Sequence, residues 1–138
     1  MIVVDTNVLL AAFRAEMSTH IIARRWLEET LQVGQNICVP NCVQISFTRL
    51  ATRQLGPLPA APLALAMQFL QAIAPFNDAL PSELSSHALI LCARFGLAGD
   101  GTVDAWIAAH AIALNAPLVS FDRGFMKYTP TLQLVMLS

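Results

Sequence analysis

The 138-residue chain is 56% hydrophobic and only 12% charged, about half the charge of an average soluble domain at ~25%. Intrinsic disorder, which needs low hydrophobicity and high net charge, is excluded. Eight basic against nine acidic residues give a formal net charge of −1, so the chain as a whole is no electrostatic magnet for nucleic acid and any basic surface must be local. The length fits one domain spanning residues 1–138. Mean hydropathy is +0.58, and the long charge-free stretch from Gln54 to Asn77 is broken by Pro57, Pro59, Pro62 and Pro75. Its clean apolar part, Leu63–Ala74, is shorter than the ~20 residues of a spanning helix, so no membrane segment is expected. Met1–Asp5 has no basic leader pattern. Three cysteines, Cys38, Cys42 and Cys92, lack metal-like spacing to the histidines and are expected to be buried apolar side chains in a reducing, cytoplasmic compartment. The apolar excess over what a small core can hide points to a substantial interface and a homodimer.

In chain order, Ile2–Val4 reads as a buried strand ending at Asp5, and Thr6–Arg14 as a helix. Ser18 is placed to cap a helix through Val33, with Ile21, Ile22, Trp26 and Leu27 on one face and Gly34 as its stop. Ile37–Val39 reads as a strand and Pro40–Gln54 as a helix opened by proline. Gly56–Pro62 is a proline-rich loop within the domain, and Leu63–Ile73 a helix. Ala74–Phe76 reads as a brief strand. Ser82 starts a helix ending near Gly96, and Thr102 starts another through Asn115. Leu118–Phe121 is a strand, Arg123–Lys127 a helical turn and Leu132–Leu137 a final strand. Strands that are continuously apolar and alternate with helices imply an α/β fold, a small central parallel sheet with helices on both faces.

With so few acids, their positions carry information. Asp5 and Asp122 follow strands, and Asp104 falls in the first turn of the helix opened by Thr102. In open parallel sheets the functional crevice lies outside the carboxyl ends of the strands. Carboxylates gathered there need a cation, and Mg²⁺ is a hard ion that takes oxygen ligands; one ion would draw the three to within about 6 Å. Such a cluster suits metal-activated water attacking a phosphodiester. Each acid also has a structural use. Asp5 suits a helix N-cap, Asp104 a first-turn charge, and Asp122 a turn. Asp100, in Gly99-Asp100-Gly101-Thr102, suits a turn or cap, yet stands near Asp104.

Three segments together carry a resemblance: Ile2-Val3-Val4-Asp5-Thr6-Asn7-Val8-Leu9-Leu10, Val103-Asp104-Ala105-Trp106-Ile107-Ala108-Ala109-His110-Ala111, and Leu118-Val119-Ser120-Phe121-Asp122-Arg123-Gly124-Phe125. In this order and spacing they resemble the PIN-domain family, and within it the VapC-type toxin ribonucleases of bacterial toxin–antitoxin modules. The resemblance implies a PIN-like three-layer fold and a metal-dependent endoribonuclease. It implies that Asp5, Asp104 and Asp122 bind Mg²⁺ or Mn²⁺, with Thr6 or Asn7 bracing the first; Ser46, Asp100 and Ser120 are further candidates for site support. The implied partners are an RNA substrate and a small antitoxin protein. The family's second acid is usually a Glu in the helix after the second strand; here Ser46 occupies that place in Ser46-Phe47-Thr48-Arg49-Leu50-Ala51-Thr52. No acid lies between Glu29 and Asp78. Gly124 also replaces an acid often found before the Phe. The alternative is a catalytically weakened PIN-fold binding module that keeps the antitoxin interface.

Other chemistry is less well supported. His20 and His87 read as helix residues outside any zinc site, and His110 as a core or surface histidine. Arg49 and Arg53 form an i,i+4 pair on the helix carrying Ser46 and are placed to meet RNA phosphates. Arg24-Arg25 and Arg123-Lys127 read as solvated pairs. A phosphatase with Asp5 as nucleophile would want a second Asp where Asn7 stands, and a lysine other than Lys127, the only one present.

Overall fold

The β-branched run at the start of the chain lies in the middle of a parallel sheet. A computed structural model describes residues 1–73 and 83–138. Strand β1 (Ile2–Val4) pairs with β2 (Ile37–Cys38) on one side and β3 (Leu118–Ser120) on the other, and β3 pairs with β4 (Leu134–Met136). All pairings are parallel, in the order β2-β1-β3-β4. Val3, Val4, Leu118 and Val119 are wholly buried, as continuously apolar strands require when both faces are covered. From β1 the chain steps outward to β2, then returns past β1 to β3. Right-handed crossovers place those two connections on opposite faces of the sheet, giving three layers. The same reversal creates a topological switch point between the carboxyl ends of β1 and β3, the usual position of a ligand crevice.

Helix α1 (Thr6–Phe13) starts directly after Asp5, whose carboxylate caps it by accepting the Thr6 N–H. Helix α2 (His20–Gln32) begins later than expected, with Thr19 rather than Ser18 at its N-cap. Its inward stripe is Ala23, Leu27 and Thr30; Ile21, two residues off that stripe, is 70% exposed. Helix α3 (Asn41–Ala51) stops short of the expected Gln54. The Ala51 carbonyl, which the Leu55 N–H would need to extend the ladder, instead accepts from the Ala61 N–H and the buried Arg14 guanidinium. The same guanidinium also donates to the Pro59 carbonyl. Arg14 thus ties the end of α3 to the proline-rich segment.

Helix α4 (Leu63–Ile73) has the expected bounds. The expected strand Ala74–Phe76 and helix start at Ser82 fall outside the described residues. Helix α5 (Leu84–Phe95) ends at Gly96, whose φ of +61° suits glycine. Helix α6 (Asp100–Ala113) starts two residues before Thr102, whose hydroxyl bonds back to the Gly99 carbonyl. Asp100 is therefore in the first turn and Asp104 one turn further on, which corrects the expected placement. A 3₁₀ helix covers Arg123–Tyr128. Among the described residues no helix is long and apolar enough to cross a membrane.

Phe13 of α1, Phe47 of α3 and Phe69 of α4 meet in a cluster with centroids 5.3–5.5 Å apart. Phe47 is wholly buried there. Phe47→Ala is expected to cost about 3–5 kcal/mol of unfolding free energy by urea denaturation. Ile45→Ala, at an exposed site on the same helix, is expected to stay within about 0.5 kcal/mol.

Candidate functional site

A cavity of about 250 Å³ opens at the switch point, lined by Asp5, Thr6, Asn7, Ser46, Arg49, Asp100, Asp104 and Asp122, with Leu10, Leu50, Val103 and Ile107 as its apolar walls. Asp5 stands at the end of β1, Asp122 two residues past β3, and Asp100 and Asp104 on α6. Ser46 and Arg49 look in from α3.

Backbone and side-chain bonds weld the two strand ends together. Asp5 N–H donates to the Val119 carbonyl at 3.1 Å. The wholly buried Ser120 hydroxyl donates to Asp5 Oδ2 at 2.6 Å and accepts the Asp122 N–H at 2.8 Å. Asn7 contributes through the Phe121 N–H and Ser120 Oγ, each at 3.4 Å. Asp122 is steadied by the Gly124 N–H at 2.7 Å, and a side chain at Gly124 would press on that carboxylate.

Burial, with the Asp122 charge as a smaller cause, pushes the Asp5 carboxyl above its ordinary value, while the bonds from Ser120 and Thr6 pull it down. Asp104 is raised from 3.8 to about 6, first by burial and then by the charges of Asp5 and Asp122, with Lys127 acting in the opposite sense. Tyr128 behind it is pushed up to about 12 by burial and by the Asp104 charge. Its hydroxyl has no hydrogen-bond partner among the described residues.

The donor set is all oxygen and carries up to four negative charges, which fits a hard divalent ion such as Mg²⁺ or Mn²⁺. Among the described residues no three acid, His or Cys side chains form a group that could already hold a metal ion. Asp5 and Asp122 instead turn oxygens toward Thr6, Ser120 and Gly124.

Most of the expected site residues line the cavity. Ser120 lies behind it, under Asp5. Arg53 is outside: α3 ends at Ala51, so Arg53 is not on one helical face with Arg49 and does not reach the cavity wall. The apolar walls were not anticipated, because they come from three helices far apart in sequence. Nor was the contact between Cys38 Sγ and His110 Nε2 at 3.5 Å, which joins residues 72 apart. All three cysteines are half-buried rather than buried, and none is in a disulfide.

Residues 2–129 match the PIN domain family. The chain is 35% identical to Ribonuclease VapC31 of Mycobacterium tuberculosis and 34% identical to Ribonuclease VapC25 of the same species, in each case over 93% of both chains. Its fold is similar to a chain in the crystal structure of VapBC2 from Rickettsia felis bound to a DNA fragment from their promoter, with a TM-score of 0.73, 20% identity and full coverage of both chains.

Two expectations follow from the geometry. In EDTA the folded protein holds the Asp104 proton to about 6, whereas the unfolded chain releases it near 3.8. The folded state therefore binds more protons in this window, and Asp104 makes stability fall as pH rises through it. Denaturation of wild type and Asp104→Asn between these pH values is expected to show a smaller fall in the variant. Ser120→Ala removes the bond that orients Asp5 and is expected to weaken Mn²⁺ binding by about 10–100-fold, the usual effect of losing a ligand's partner, as calorimetry would read.

Proposed function

This chain belongs to the PIN-domain family, in its VapC branch, and from that premise we propose that it is a single-domain, metal-dependent endoribonuclease acting as the toxin of a VapBC-like toxin–antitoxin pair. The observation that carries the reading is the gathering of Asp5, Asp104, Asp122 and Asp100 around one cavity at the β1–β3 switch point, opposite Arg49. The names and 34–35% identity of the VapC relatives support it.

In this reading Asp5, Asp104 and Asp122 hold Mg²⁺ or Mn²⁺. When bound, the ion supplies Lewis-acid polarisation of the phosphodiester and a nucleophile from water at neutral pH. Ser120 and Thr6 keep Asp5 aimed at the cavity. Arg49, exposed on the opposite wall, presents a planar guanidinium that suits bidentate contact with an RNA phosphate. Leu10, Leu50 and Ile107 limit water on the inner side, which strengthens electrostatic contacts made there.

The partner reading rests on a second surface. Ile45 of α3 and Leu63, Leu65 and Met67 of α4 are exposed. Ile45 and Met67 border a groove of about 470 Å³ that shares Arg49 with the acidic cavity. An antitoxin segment seated there would lie beside the cleft, and α2 and α4 remain the proposed faces for a homodimer. A second functional reading, a binding module with weakened catalysis, is favoured by Ser46, which brings no charge to the wall where the resemblance expects Glu.

Antitoxin-free protein with Mn²⁺ is expected to cut RNA internally and to stop in EDTA. Asp5→Asn is expected to lose at least ~100-fold in rate, two tenfold steps of ~1.4 kcal/mol each, with an unchanged melting curve showing that the loss is not a folding defect. Arg49→Gln should weaken RNA binding and flatten its salt dependence while leaving Mn²⁺ affinity intact. If wild type cuts nothing across a broad RNA panel yet binds an antitoxin, the binding-module reading replaces the enzyme.

A further inference from the structure

The four carboxylates of the cavity are not equivalent. Asp5 is committed to Thr6 and Ser120, and Asp122 to the Gly124 N–H. Asp100 and Asp104 make no hydrogen bond or ion pair among the described residues. They sit four residues apart on α6 and both line the cavity, so they share one face of the helix, stacked one turn apart. Across the cavity stands Ser46, whose hydroxyl is neutral. A site that is to hold a divalent cation against water needs anionic oxygens, and ligand charge count is what tunes affinity for hard cations. With α3 contributing no acid, the carboxylate nearest in place to make up the count is Asp100.

We infer that Asp100 is a fourth carboxylate of the metal site, supplied from the first turn of α6 while the α3 wall brings only the neutral Ser46. This rests on the metal-dependent reading above. Helix α6 suits the role. Gly99, with φ of +60°, turns the chain into the helix and leaves open space around its Cα, and the helix N-terminus tolerates a negative charge when no metal is bound. Asp100 and Asp104 would thus form the adjustable half of the site, while the strand-anchored Asp5 and Asp122 form the fixed half.

A purely dipole-stabilising Asp100 would change folding stability but not metal affinity, and this separates the two roles. Isothermal titration calorimetry with Mn²⁺ on antitoxin-free protein is the test, with thermal melts in EDTA and in Mn²⁺ as the second measurement. Asp100→Asn is expected to weaken Mn²⁺ binding at least tenfold, given that even the partners of ligands commonly carry about 10–100-fold of affinity, and to shrink the melting-temperature rise that Mn²⁺ gives. Ser46→Glu added to Asp100→Asn should restore most of the lost affinity by returning a carboxylate to the opposite wall. Glu16→Gln, an exposed acid away from the cavity, controls for net charge and should leave Mn²⁺ affinity within twofold. If Asp100→Asn binds Mn²⁺ as wild type does while Asp5→Asn does not, the role of Asp100 is overturned and the metal-dependent reading stands. If wild type itself takes up no Mn²⁺, that reading fails and this inference with it.

Discussion

One hydroxyl ties the two halves of the site together. Ser120 is fully buried at the end of β3, donates a hydrogen bond from its hydroxyl to Asp5 at the end of β1, and accepts one from the N–H of Asp122. A charge-assisted bond of 2.6 Å in a buried setting is worth more than one at the surface. It also fixes the direction of a carboxylate that burial would otherwise push toward its neutral form. Because Asp5 simultaneously caps α1, the same few atoms set the strand register, the start of the first helix and the position of the first acid. Lengthening or removing the Ser120 side chain would therefore disturb fold and site together.

The central sheet was legible because its strands are predominantly apolar. Ile2–Val4 is a short β-branched run and Leu118-Val119 a short apolar one, both suited to a doubly covered sheet; β1 formed as expected and β3 formed over Leu118–Ser120 rather than to Phe121. Helix α4 was legible because proline bounds it at Pro62. Other ends were not, for reasons that lie far along the chain. The stop of α3 depends on Arg14 and Ala61 claiming one carbonyl, which no local pattern in residues 41–54 records. That shift moved Arg53 off the helix and out of the site. The start of α6 was misread because Thr102 resembles a cap, whereas its hydroxyl bonds back to Gly99 from inside the helix.

Within the site, the acids at strand ends were legible by rule and by resemblance, since a carboxyl-terminal strand residue in a parallel sheet faces the crevice. Their electrostatic inequality was not. Burial raises both Asp5 and Asp104, but Asp5 is also held by a buried hydroxyl, whereas Asp104 is raised further by the charges of Asp5 and Asp122, and neither fact is written in local sequence. The apolar walls escaped notice for a related reason. Leu10, Leu50 and Ile107 each read as core within their own helix, and only the packing of α1, α3 and α6 turns them into one lining.

The edges of the sheet have a consequence for how such a protein is recognised. Among the described residues β2 contributes two residues and β4 three, so neither margin of the described sheet offers a run of backbone groups long enough to template another strand. Association at these described edges would therefore rest on side chains rather than on strand pairing. A backbone-mediated docking code is nearly blind to sequence, whereas one carried by side chains changes with single substitutions. Duplicated copies of this fold within one cell can therefore drift apart in whom they bind while keeping the sheet, and the acids at its crest, unaltered.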